Sequence, residues 1–199
     1  MKSDVCLLTE KDPDSLKKVL AETEKAAKYA SLNKKESNRL RLLAEELFEM
    51  IPSVLEFSSG EFWIEFENKK FELHTSLKPT DLLTMEKREE ILKVSSSGKN
   101  AAAKGIMAKI KLAATFMMIE YESNPDLSFA GSSFFDEGLG VNPYFSLSSW
   151  SLTQYRKNAQ EEKGEKWDEL EKSIIANIAD DVIVGIQGKQ VDIIVKKDF

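Results

Sequence analysis

Apolar residues recur along this chain with two different periods, and the switches between them divide it into elements. Val5, Leu7 and Leu8 mark a short first strand over residues 4–9. Asp12-Pro13 then supplies a helix cap followed by proline at the first helical position, where its missing N–H costs nothing. Leu16, Val19, Leu20, Ala26, Ala27 and Ala30 follow at helical spacing, and Asn33 ends that helix. A second helix starts near Lys34 with the stripe Leu40, Leu43, Leu47, Met50, Ile51 and Val54. Pro52 should kink or end it, because its ring clashes with the carbonyl one turn back.

The period then drops to two. Phe62, Ile64 and Phe66 alternate with Trp63, Glu65 and Glu67, and past Asn68-Lys69 come Phe71, Leu73 and Thr75 alternating with Glu72, His74 and Ser76. Alternation on both sides of a short polar turn predicts an antiparallel hairpin, 61–67 with 70–77, buried on one face. Trp63, Glu65 and His74 would lie on the other face. Residues 82–94 read as helix, Ser95-Ser96-Ser97-Gly98 as a break, and the alanine-rich stretch 99–118 as helix with Ile106, Ile110 and Met117 on one side. Residues 121–149 have no period. They mix glycines, prolines and serines with six aromatics, a composition expected to fold back as a lid or partner surface, with Phe134, Phe135 and Tyr144 buried. Helix returns over 151–160 and 165–179. Val182, Val184 and Ile186, then Gly188-Lys189, then Val191, Ile193 and Val195 predict a second hairpin, 182–187 with 190–196.

Strand, two helices, hairpin, helices, irregular loop, helices and hairpin imply a two-layer α/β (α+β) sandwich. It should have about five mostly antiparallel strands, with helices on one face, in a single domain over 1–199. Two well-patterned hairpins argue against an all-helical bundle.

Composition narrows the chemistry. Hydrophobic residues at 42% and charged residues at 31% give a globular balance, and the net charge of -6 argues against nucleic acid as a partner. No apolar run reaches the ~18 residues needed to span a bilayer, and the patch from Val5 to Leu8 is too short for a signal peptide. Cys6 and His74 are the only residues of their types, which excludes a disulfide framework and a multi-histidine metal site. These features predict a cytoplasmic protein.

One string carries more specific information: Leu40-Arg41-Leu42-Leu43-Ala44-Glu45-Glu46-Leu47-Phe48-Glu49-Met50, followed by the first hairpin. It resembles the glutamate–asparagine helix of the GHKL (histidine-kinase-like) ATP-binding domains, in particular the anti-sigma-factor serine kinases. Those also begin with a strand and a long helix and place a hairpin after the motif helix. The resemblance implies a GHKL-like fold, with ATP and magnesium as the cofactors if any is bound. It makes Glu46 the catalytic glutamate and puts Met50 at the magnesium-ligating asparagine. Side chains four apart share a helix face and can reach one phosphate and its metal. Methionine offers no oxygen, and residues 73–81 lack the family's aspartate-glycine box.

The turn Ser97-Gly98-Lys99-Asn100 precedes a helix of small residues and lies where the family places its lid and second glycine-rich box. It offers backbone N–H groups to an anion. The nucleotide-binding set implied is thus Glu46, Glu49, Ser97, Gly98, Lys99 and Asn100. The resulting expectation is a degenerate regulatory domain with weak or no ATP binding, acting through a protein partner, with a homodimer compatible. An active ATPase or serine kinase using Glu49 as a relocated metal ligand is one alternative. A ligand-free interaction module is the other.

Overall fold

The computed structural model describes residues 1–9, 12–54, 56–80, 110, 114, 118, 150–162, 173–187 and 190–199. Both expected hairpins are present. In the first, β2 (Phe57–Glu67) pairs antiparallel with β3 (Lys70–Pro79), and Glu67 opposes Lys70 across Asn68-Lys69. Both turn residues have positive φ, 46° and 66°, as a two-residue turn matched to the strands' right-handed twist requires.

Six strands appear among the described residues, one more than the sequence pattern gives. The order is β1-β2-β3-β6-β5-β4, antiparallel throughout, with β1 Cys6–Leu8, β4 Trp150–Ser151, β5 Asp181–Gln187 and β6 Gln190–Asp198. The extra strand is β4. It has two residues, too few for any alternation to register, and Ser151, expected in a helix, pairs with Ile183. Phe62, Ile64, Phe66, Leu73, Val184, Ile186 and Ile193, the residues that alternation assigns to the core, are all buried.

Helices cover that buried face. They are α1 (Ser15–Tyr29), α2 (Lys34–Val54), α3 (Leu152–Glu162) and α4 (Ile174–Ile178). Helix α1 packs on β1, β2 and α2, whereas α2 also touches α4 and β6. Leu40, Leu43, Leu47 and Ile51 of α2 join Phe62, Phe71, Leu73 and Val195 of the sheet in one apolar cluster. Each large side chain so removed from water contributes ~1.5–3 kcal/mol.

The helix boundaries differ in instructive ways. Helix α1 starts at Ser15 because Asp12-Pro13-Asp14 forms a turn first, the Asp12 carboxylate accepting from the Asp14 N–H at 2.9 Å. Asn33 does not end α1. The ending is a Schellman arrangement on Ser31, at φ 53°, with Ser31 N–H donating to Lys28 O and Leu32 N–H to Ala27 O. Asn33 instead starts α2. Its side-chain oxygen accepts from the N–H groups of Lys35 and Glu36, and Glu36 reaches back to the Asn33 N–H at 2.8 Å. Helix α2 continues two residues past Pro52 before it stops. Ile110, Ala114 and Met118 are helical, with Ile110 and Ala114 buried and Met118 packed against the core, as expected for Ile110.

Residues 82–94 and 121–149, with Phe134, Phe135 and Tyr144, lie outside the described residues. So do Ile106, Met117, the stretch 165–172 and the turn Gly188-Lys189.

Candidate functional site

Helix α2 carries the residues that the glutamate motif singles out, and its packing decides which of them can act. Leu43, Leu47 and Met50 face the core, Met50 at 3% exposure. Glu46 stands at the border of that stripe, half-buried, and Glu49 is exposed. Burial pushes the Glu46 carboxyl above its usual pKa, and the charges of Glu49 and then Glu45 add to the rise. No hydrogen bond or ion pair engages Glu46 among the described residues. Glu45 points the other way, toward α1, where it shares Arg41 with Glu24, the Glu45–Arg41 pair at 3.1 Å. Magnesium takes hard oxygen ligands in near-octahedral geometry. Met50 supplies a thioether and is packed in the core, so at the two motif positions α2 offers one carboxylate and nothing to pair with it on a metal. Ser97, Gly98, Lys99 and Asn100 lie outside the described residues.

Toward its N-terminus the outward side of α2 turns basic. Lys34, Lys35, Asn38, Arg39 and Leu42 line an open groove of about 450 Å³. The Lys34, Lys35 and Arg39 side chains take part in no ion pair among the described residues. Glu36, in the same turn of α2, is already engaged. The Asn33 N–H first and Lys69 second hold its carboxyl below the usual range, with Lys69 Nζ 3.0 Å from it. Composition gives no sign of this groove, because the cations belong to a chain that is acidic overall.

A second cluster occupies the sheet face away from the helices. Trp63 and His74 are cross-strand partners, and their rings stack 4.9 Å apart and 6° from parallel. Lys2 Nζ sits over the Trp63 ring, 4.5 Å from its centroid. Trp63 Nε1–H donates to Glu65 at 2.9 Å, and Lys196 pairs with Glu72 at 2.7 Å. His74 Nε2 is 3.3 Å from Glu72 but out of line for a hydrogen bond. Burial lowers the His74 pKa, against the pull of Glu65 and Glu72. For Glu65 burial pulls upward, and the Trp63 hydrogen bond with the charges of His74 and Lys2 more than offsets it. Asp192, one strand over, is pushed up by burial and pulled back by a Ser76 hydrogen bond. Alternation places Trp63, Glu65 and His74 on this face. It gives no hint of Lys2, which arrives because the N-terminus continues beside β2, with Met1 N bonded to Phe66 O and Ser3 N to Ile64 O.

No protein-family model matches the sequence, and neither the curated proteins nor the solved structures yield a match. Among the described residues no three His, Cys, Asp or Glu side chains come together as a metal site, and no helix is long and apolar enough to cross a membrane.

Proposed function

We propose that this protein is a degenerate histidine-kinase-like regulatory domain, one that engages nucleotide weakly at most, does not turn it over, and acts through a protein partner. The observation that carries this reading is the burial of Met50. At the position where the resembled family has a magnesium-ligating asparagine, the side chain is apolar and belongs to the core, one helical turn from a retained Glu46. The order β1, α1, α2 and the β2–β3 hairpin, with Glu46 on the second helix, supports the same reading.

A second reading has one observation in its favour. Glu49 lies one turn from Glu46 and close enough to raise its pKa, so the two carboxylates could share a cation in an active ATPase or serine kinase. ATP turnover by highly purified protein separates the two. The first reading predicts hydrolysis indistinguishable from a buffer control. Hydrolysis that disappears in Glu46→Gln establishes the second.

A further inference from the structure

The outward side of α2 is segregated by charge, and its first turn is charged against the helix dipole. A helix end favours acids at its N-terminus and bases at its C-terminus. Here Lys34, Lys35 and Arg39 occupy the N-terminal half of the stripe, and Glu46 and Glu49 the C-terminal half. These side chains form no hydrogen bond or ion pair within the chain among the described residues, whereas Arg41 and Glu45 on the flank toward α1 are paired. Lys34 and Lys35, in the first turn, sit against the helix dipole, and among the described residues only Glu36 is an acid in that turn.

A stripe of this kind is complementary to itself when reversed. Lys35, Asn38, Arg39, Leu42, Glu46 and Glu49 recur at three- and four-residue intervals and share one side of the helix. Lys35 and Glu49 are equidistant from Leu42, as are Asn38 and Glu46. We propose that this face is a homodimer interface, an antiparallel contact of α2 with α2 of a second copy, its two-fold axis at Leu42. Lys35 then faces Glu49 of the partner subunit, and Asn38 and Arg39 face Glu46 of the partner subunit, with every contact made twice, as isologous symmetry demands.

Charge complementarity selects the occupant. Both signs are needed, in reversed order, along one helix of this length, and this chain carries that pattern itself. The half-buried Leu42 supplies an apolar centre, and the groove beside it has room for the partner's side chains. One helix pair buries less than the ~1,200 Å² of a standard interface, so the association is weak and rests on its ion pairs. The proposal does not depend on nucleotide.

Sedimentation of the full chain, free of nucleotide, tests it. At low ionic strength the protein should show a concentration-dependent monomer–dimer equilibrium. The dimer should weaken at roughly 1 M salt, where the screening length falls to ~3 Å. Lys35→Glu and Glu49→Lys should each weaken it by about tenfold or more, since each sets like charges opposite one another. The double variant, Lys35→Glu with Glu49→Lys, should recover most of the loss. Both positions are exposed, and thermal melts matching the parent confirm that each variant folds. A chain that stays monomeric up to ~1 mM at low salt overturns the proposal. So does a dimer indifferent to salt and to either single change, or a double variant no better than the singles. ATP turnover, measured separately, is unaffected by either result.

Discussion

Single side chains hold two of the fold's unusual features. Ser31 closes α1 in the left-handed region at φ 53°, a conformation that costs a residue with a Cβ roughly 1–2 kcal/mol and glycine much less. Ser31→Gly should therefore raise stability, by about 0.5 kcal/mol after glycine's extra unfolded-state entropy is counted. Urea midpoints check it, and a lowered midpoint would contradict the assignment of this turn. His74 makes a pH prediction. Its folded-state pKa is held down by burial, against Glu65 and Glu72, while the unfolded chain takes up the proton near pH ~6.5. Between those two values the unfolded state binds more protons, so stability falls as pH drops below ~6.5 toward the folded-state pKa. His74→Phe keeps a ring against Trp63 and removes that term. Its stability should decline less between pH 7 and pH 5 than the parent's, and parallel declines would count against the buried, neutral imidazole.

At the scale of elements, legibility in the sequence followed period. The two hairpins and the α1 and α2 stripes are long enough for alternation or helical spacing to accumulate, and the structure has them. Two-residue β4 offers no period, and it draws Ser151 out of the expected helix. Asn33 could be read either as a stop or as a cap; Glu36 three residues on marks it as a cap, by the reciprocal bonds of a capping box. Gly60 is another feature that pattern alone passes over. Strand β2 begins at Phe57, ahead of the alternating run, and Gly60 lies between Leu8 of β1 and Leu77 of β3. A Cβ there would meet Leu77 Cδ2 at 2.7 Å and the Ser76 carbonyl oxygen at 3.0 Å. The leucine tip can turn aside, but the backbone oxygen belongs to the ladder. Gly60→Ala should cost about 1–3 kcal/mol of stability as an overpacked site. A change under ~0.5 kcal/mol, read from chemical denaturation, would mean that β2 and β3 separate more easily than the register implies.

For the molecule as a whole, the sequence located the helix that bears the candidate chemistry but not the state of its side chains. Glu46 was legible as a carboxylate at the edge of an apolar stripe. Its raised pKa was not, because desolvation depends on packing that the helix alone does not specify. Met50 read as a missing oxygen; its burial adds that the position is turned toward the core. Lys2 above Trp63 comes from residues far apart in sequence, whereas the groove cations share one helix and become visible only once the exposed side of α2 is known. On the reading proposed above, α2 keeps a carboxylate at Glu46 but has no metal-ligating oxygen at Met50, so magnesium should add little to any binding of nucleotide. That claim is tested most directly by equilibrium titration with ATP, with and without magnesium. The account predicts that any binding is weak and changes less than about twofold, or ~0.4 kcal/mol, when magnesium is added. Magnesium that tightens ATP about tenfold or more, with the gain lost in Glu46→Gln, would contradict it.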